Sequence, residues 1–299
     1  MSWKKYIWAV SYGILLTAFT VYAALDTFLI AKVYNVVSDS EDSENKDYQK
    51  ETAGPAVITE NSYSDENIKI TISTHREYKT TIYTADITLS SPDFLKAAFA
   101  KNSYGKNITA VTSETAAEHN AILAVNGDFY GVQEKGYVIR KGILYRNIAS
   151  KNQEDLVVYK DGSFEIIKED EVTAEELYAN GAVQVFSFGP ALIENGEISV
   201  SEKDEVKKAL ASNPRTAIGI FENGHYIFAV SDGRTSESEG LSLYEFAEFM
   251  QGLGAEAVYN LDGGGSSTMY FNGKIVNKPT SNGKKIKERK VSDIVYIGY

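Results

Sequence analysis

The sequence predicts an α+β fold. A single domain over residues 67–299, with a mixed, largely antiparallel sheet and packed helices, follows a cytoplasmic stub with a transmembrane anchor (1–36) and an acidic flexible linker (37–66). Three observations predict this. Four two-residue turn signals separate runs rich in β-branched and aromatic residues, two capping boxes open helical patterns, and an uncharged N-terminal run precedes a densely acidic segment. The composition agrees, since 43% hydrophobic and 24% charged residues are globular proportions.

From Tyr6 to Leu25 there are 20 consecutive residues without a charge, enough at about 1.5 Å per residue to cross a hydrocarbon layer of roughly 30 Å. Lys4 and Lys5 precede the run, which puts the first residues in the cytoplasm and the rest of the chain outside. Ala23 and Ala24 would suit a cleaved signal peptide, but the run is long for one, and it is read as an uncleaved anchor. Residues 38–66 carry nine acidic side chains against Lys46 and Lys50. Such a stretch buries too little apolar surface to offset its ordering entropy and is expected to act as a solvated tether.

In the outer domain a helix is expected from after Ser113 to Asn120, then a buried strand through Ile122, Leu123 and Val125. Asp161-Gly162, Asn195-Gly196, Asn223-Gly224 and Asn272-Gly273 each supply the positive-φ positions of a tight hairpin. Thr173 with Glu176 and Ser242 with Glu245 read as capping boxes. After Ser242 the apolar residues Leu243, Phe246, Ala247 and Met250 share one helical face, and Gly252 and Gly254 end the pattern. A strand follows from Glu256 to Tyr259.

Several function classes are excluded or disfavoured. The formal charge of −11 argues against a nucleic-acid partner. With no Cys there is no disulfide, thiolate ligand or Cys nucleophile, and about 230 outer residues bury enough core to do without cross-links. The three His (His75, His119, His225) stand in no metal-binding spacing. No cofactor or metal is expected, although a Ca²⁺ or Mg²⁺ ion at the carboxylates is left open. Chemistry then falls to carboxylates, hydroxyls, Arg and backbone amides.

The segment Asn260-Leu261-Asp262-Gly263-Gly264-Gly265-Ser266-Ser267-Thr268 is where those groups concentrate. Consecutive glycines fit an anion nest, in which N–H groups converge on a ligand oxygen, or an ordinary loop with Asp262 in an Asx-turn. Other apolar strands end in similar polar clusters: Asn126-Gly127-Asp128-Phe129-Tyr130-Gly131, Ser231-Asp232-Gly233-Arg234, and Arg215-Thr216 after Asn213-Pro214. If these ends share a sheet edge, Asp232 and Asp262 form a carboxylate pair beside Arg215, a guanidinium suited to phosphate.

From about Ala110 to Tyr299 the chain resembles the phosphodiester glycosidase family. The resemblance lies in AVNGDFYG from Ala124, FGPALI from Phe188, RTAIGI from Arg215, SDGR from Ser231, GLSLYEFAEFMQGLGA from Gly240, NLDGGGSSTM from Asn260 and ERKVSDIVYI from Glu288. It implies an α+β fold around a mixed sheet and hydrolysis of a glycosyl-1-phosphodiester to free sugar and phosphomonoester. On that reading Arg215 and the amides of Gly263, Gly264, Gly265 and Ser266 hold the phosphate. Asp262 or Asp232 is base or nucleophile, with the other orienting it. Asn126, Asp128, Thr216, Arg234 and Arg289 complete the substrate contacts. The chain departs from the family where Asp128 takes the place of a second glycine, and over Thr235–Glu239.

The substrate expected is a phosphate-linked surface glycan, such as exopolysaccharide or a teichoic-acid-like polymer, met outside the cell by a membrane-held enzyme. Two other readings use the same residues. One is a noncatalytic phosphoglycan-binding envelope protein on this fold. The other is metal-dependent P–O cleavage through Asp128, Asp232 and Asp262, weakened by the lack of His ligands.

Overall fold

The computed structural model describes residues 6–34, 36, 55–201 and 212–299. Its first element, α1 (Ile7–Phe28), is 22 residues long and buries none of its side chains in the protein. It is long and apolar enough to cross a membrane. The other helices are short: α2 (Thr112–Glu118), α3 (Ala174–Ala179) and α4 (Leu243–Gly252).

Strands make up most of the rest. The largest sheet has nine, in the order Glu197–Ile198, Ala191–Glu194, Ala257–Leu261, Thr216–Glu222, His225–Ser231, Thr80–Leu89, Ile68–Glu77, Ser62–Ser64 and Val57–Ile58. A five-stranded sheet runs Lys274–Ile275, Met269–Phe271, Leu123–Asn126, Asp293–Ile297, Leu95–Phe99. A second runs Ile143–Arg146, Val138–Arg140, Ala182–Phe186, Glu154–Tyr159, Phe164–Lys168. Lys32–Val33 pairs separately with Gly105–Lys106. Every ladder among the described residues is antiparallel. The strands expected in one mixed sheet are thus shared among several antiparallel ones. A common apolar cluster, with Ile70, Leu123, Leu156, Phe186, Ile218, Phe228, Met269 and Val295 among its members, draws on all three larger sheets.

The local signals explain these elements. All four turn dipeptides close hairpins between adjacent strands, and Asn195-Gly196 and Asn272-Gly273 have positive φ at both residues, the type I′ geometry that matches strand twist. At α4 the Ser242 hydroxyl accepts from Glu245 N–H at 3.0 Å, while the Glu245 carboxylate accepts from Ser242 N–H at 2.8 Å. Leu243, Phe246, Ala247 and Met250 are buried as the spacing requires, and Phe249 joins them. The boxed Thr173–Glu176 start of α3 has the same two bonds. The helix expected after Ser113 begins one residue before it, at Thr112.

The linker is where sequence and structure part. Residues 37–54 of the expected linker lie outside the described residues. Val57–Ile58 and Ser62–Ser64, which the expected linker also included, are strands on the edge of the nine-stranded sheet. Asp65 is fixed as well: its carboxylate accepts from Tyr63 and Tyr299 hydroxyls at 2.7 and 2.6 Å and from the Asn67 and Ile68 N–H groups. Charge density alone therefore misplaces the boundary, because Asp65 is spent on hydrogen bonds and the strands beside it pair with the sheet.

One buried acid lacks such partners. Asp155, in strand Glu154–Tyr159, is fully buried, and neither oxygen has a hydrogen-bond partner of good geometry among the described residues. Burial, and then the charge of Glu169, push its carboxyl well above the usual range. A carboxyl raised in the fold adds stability that is complete below the unfolded pKa of ~3.9 and is lost as pH climbs through the folded value. Asp155→Asn should therefore raise the Tm at about pH 8 by ~2–4 °C for each kcal/mol relieved and flatten its fall from about pH 5. Thermal unfolding across that range checks this.

Candidate active site

Three neighbouring strands of the large sheet deliver the predicted acids to one edge. Thr216 faces Leu261 on one side and Val230 on the other. Arg215 therefore stands between Asp262, just past strand Ala257–Leu261, and Asp232, just past His225–Ser231. Strands lie about 4.8 Å apart, so the two acidic backbones are about 10 Å apart across Arg215. Strand Leu123–Asn126 of a five-stranded sheet ends at the same place, where Asp262 N–H donates to the Gly127 carbonyl at 3.2 Å.

Asn126 joins these ends. Its Nδ2 donates to the Asp262 carbonyl at 2.6 Å, and its Oδ1 accepts from the Thr216 hydroxyl at 2.9 Å and from Thr268 N–H at 3.2 Å. Asn126 and Thr216 are both fully buried. Within the protein they tie the strand ends of the site together.

Asp128 is enclosed as well. It is fully buried in an ion cluster centred on Arg140, which the sequence did not single out. Arg140 Nη2 lies 2.9 Å from Asp128 and 2.7 Å from Asp293, and its Nη1 donates to the Val185 carbonyl. Asp128 also accepts from Tyr130 and Ser187 N–H groups at 3.1 and 2.9 Å. Burial and the charge of Asp128 push the Asp293 carboxyl upward against the pull of Arg140. Gly127 must be glycine here, since a Cβ would overlap the Asp293 carboxylate. Held this way, Asp128 is not one of three acids around a common cation.

The glycine corner is built differently from a nest. The N–H groups of Gly264, Ser266 and Ser267 are taken by the carbonyls of Pro214, Gly263 and Gly264. What the missing side chains admit is a guanidinium: a Cβ on Gly264, at φ +63°, would lie 2.8 Å from Arg234 Nη2. From the other side Arg289 Nη2 donates to the Gly263 carbonyl at 3.0 Å, and its backbone N–H donates to Gly265 O. Ser113 fixes that segment, its N–H and hydroxyl donating to Glu288 at 2.9 and 2.5 Å.

Two arginines thus converge on the corner. Arg234 is exposed and held by neutral oxygens, Asn213 Oδ1 and the Ser281 carbonyl, and no carboxylate among the described residues pairs with it. Burial, then the nearby charge of Arg289, lower its pKa. Arg289 pairs with Asp262 at 3.0 Å, with 42% of its own side chain and 11% of the Asp262 side chain exposed. The Ser266 hydroxyl donates to Asp262 Oδ2 at 2.5 Å and accepts from Arg289 Nε at 2.8 Å. Burial raises the Asp262 carboxyl, and Arg289 and Ser266 oppose that rise.

Asp232 is more enclosed. Its carboxylate accepts from Lys278 N–H at 2.8 Å, from Tyr83 hydroxyl at 3.2 Å and from Asn277 Nδ2 at 3.4 Å. Burial raises its carboxyl and raises the Tyr83 hydroxyl to about 12, so Tyr83 stays a donor. Arg215 lies between the acids, yet its guanidinium is buried, with Nε donating to the Leu241 carbonyl at 2.9 Å. Arg234 and Arg289 face solvent, whereas Arg215 does not. Among the described residues no group of three or more His, Cys, Asp or Glu is arranged to hold a metal ion.

Residues 119–298 match the phosphodiester glycosidase family. An SPbeta prophage-derived uncharacterized protein of Bacillus subtilis is 28% identical over 213 residues, 69% of this chain and 32% of its own. N-acetylglucosamine-1-phosphodiester alpha-N-acetylglucosaminidase of Mus musculus is 29% identical over 190 residues, 58% of this chain and 36% of its own. The chain spans about a third of the length of these curated relatives. Among solved structures, the zebrafish N-acetylglucosamine-1-phosphodiester alpha-N-acetylglucosaminidase catalytic domain, auto-inhibited by its pro-peptide, aligns with a TM-score of 0.61 at 23% identity, covering 78% of this chain and 83% of that one. A hypothetical protein from Synechocystis aligns at 0.55 and 15% identity, covering 78% and 62%. At these identities the two structures show the fold alone.

Removing Arg140 leaves two buried carboxylates on one missing cation. Arg140→Met should cost about 3–5 kcal/mol of stability, and adding Asp293→Asn should recover part of that loss. Denaturant unfolding of the single and double variants measures both.

Proposed function

The chain belongs to the phosphodiester glycosidase family, and from that premise we propose that it hydrolyses a glycosyl-1-phosphodiester at the sugar side, in a surface glycan outside the cell, while α1 holds it in the membrane. The observation that carries this reading is the meeting of Arg234 and Arg289 at the glycine corner beside Asp262. Two guanidiniums, one of them without an acidic partner among the described residues, suit a phosphodiester anion.

In this reading the phosphodiester draws Arg289 away from Asp262. The Asp262–Arg289 pair joins a half-open guanidinium to a largely buried carboxylate, which keeps the Ser266 hydroxyl as a donor when the arginine moves. Once Arg289 turns to the phosphate, Asp262 loses the opposing charge that holds its raised carboxyl down and becomes a stronger base. Asp262 takes a proton from water as the water oxygen bonds to the anomeric carbon. The bond from that carbon to the phosphate oxygen breaks, giving free sugar and phosphomonoester. The leaving phosphate is a weak base, so stabilising its charge matters more than protonating it. Asp232, with three donors, is assigned to holding Asn277 and Lys278 beside the site.

The full-length chain in detergent, assayed on glycosyl-1-phosphodiesters with product analysis, tests the proposal. Free sugar with phosphomonoester is expected, and sugar 1-phosphate would indicate P–O cleavage instead. Binding without turnover would favour the phosphoglycan-binding reading. Asp262→Asn should lower kcat by roughly 10²–10⁴-fold. Arg234→Gln should mainly raise KM, and Asp232→Asn should lose less than Asp262→Asn.

The pH profile gives a separate check. Activity needs ionised Asp262, so kcat/KM should fall with acidification through a limb above the ordinary carboxylate range. Ser266→Ala and Arg289→Gln each remove a group that lowers the Asp262 pKa and should move that limb to higher pH.

A further inference from the structure

We infer that the folded domain sits directly on the outer headgroup layer of the membrane, clamped there through Lys32–Val33, rather than standing off at the end of the acidic segment. This rests on the reading of α1 as a membrane-spanning helix.

The distances carry the inference. At 1.5 Å per residue α1 is about 33 Å long, close to a hydrocarbon core of about 30 Å, so Phe28 falls near its edge. Only Leu29, Ile30 and Ala31 separate Phe28 from the strand Lys32–Val33, which pairs with Gly105–Lys106 of the domain. Three extended residues reach roughly 10 Å. The domain surface at Gly105–Lys106 is therefore held within about that distance of the membrane edge.

The junction is also built to be fixed. Asn107 Nδ2 donates to the Thr27 and Ile30 carbonyls at 3.2 and 3.0 Å, so a domain side chain caps the last turn of α1. Lys32 pairs with Asp26 across the bend at 2.7 Å. A Cβ on Gly105 would overlap the Lys32 carbonyl, so the close approach of the two strands depends on glycine. Tyr34 N–H donates to the Tyr104 carbonyl at 3.1 Å, and the two rings meet edge to face with centroids 5.8 Å apart. The acidic stretch follows this clamp, and the chain next appears in strand Val57–Ile58, so both of its flanks are anchored on the domain.

The face beside the clamp suits lipid headgroups. Leu29, Val33 and Val132 are exposed apolar residues beside the Lys106–Glu134 ion pair. Val132 belongs to this face because its neighbour Gly131 packs against the Gly105 carbonyl and Glu134 pairs with Lys106 at 3.7 Å. The Tyr104 ring stacks on Tyr130, two residues from Asp128, with centroids 5.3 Å apart. The loop that leaves the candidate site at Asn126 is thus on the membrane-facing side, and the glycan phosphodiester is met close to the lipid surface.

The absence of Cys from the chain makes introduced thiols unique. Full-length protein would be placed in vesicles of phosphatidylethanolamine and phosphatidylglycerol and recovered by flotation. Lys32 and Lys106 face each other in the ladder, and facing Cα atoms about 4.5–5.5 Å apart suit a disulfide. Lys32→Cys with Lys106→Cys should lose both free thiols under mild oxidant, whereas Lys32→Cys with Asn223→Cys should keep them. A fluorophore on Val132→Cys should be quenched by headgroup spin labels, and one on Asn223→Cys, at the far end of the site strands, should not. Flotation with thiols that stay free, or with the Val132 label quenched no more than the Asn223 label, overturns the seating and leaves the anchor standing. Failure to float overturns the anchor and the seating with it.

Discussion

A guanidinium with 2% of its side chain exposed, shared between two buried carboxylates, is the constraint from which the site is built. Arg140 cannot lose either acid without leaving charge stranded in the interior, and neither acid can leave it. It lies on a strand of one five-stranded sheet, Asp293 opens a strand of the other, and Asp128 sits in the loop between Asn126 and Tyr130. The cluster therefore fixes where strand Leu123–Asn126 ends. Asn126 carries that position to the large sheet through the Asp262 carbonyl and the Thr216 hydroxyl. The backbone of Asp262 is thus placed by a chain of buried polar contacts that begins at Arg140.

The parts of this fold that were legible in sequence are those set by short-range chemistry. Asn-Gly turns, Ser-x-x-Glu caps and the spacing of Leu243, Phe246 and Met250 report on neighbours within a few residues, and each appears where expected. The edge shared by Asp232, Arg215 and Asp262 was also readable, because each follows or precedes an apolar strand. Arg140 was not, because one arginine after Val138 and Ile139 looks the same whether the third position faces solvent or a buried acid. The only signal was a charge closing an apolar run.

The same limit explains the linker and the glycine corner. Two-residue strands such as Lys32–Val33 and Val57–Ile58 exist only because a partner far along the chain receives them, which composition cannot report. The three glycines mark a place where added side chains would meet close neighbours. What occupies the space is the Pro214 carbonyl at Gly263, Arg234 at Gly264 and Ser281 at Gly265, and that convergence depends on loops whose course is tertiary.

Two arginine–carboxylate contacts of similar length now divide the labour by burial. Arg140 meets Asp128 at 2.9 Å with both side chains enclosed, while Arg289 meets Asp262 at 3.0 Å with 42% of its own side chain open. Breaking an enclosed pair costs about 3–5 kcal/mol, and an exposed pair contributes about 0–1 kcal/mol. That difference lets the first act as a fixed strut and the second as an exchangeable cover. In the proposed reaction a ligand anion competes with Asp262 for Arg289, and Asp262 stays mostly buried as it is uncovered, so on that proposal its basicity rises with substrate bound. Reversing the two burials would give a site whose arginine could not let go and a scaffold that could not hold.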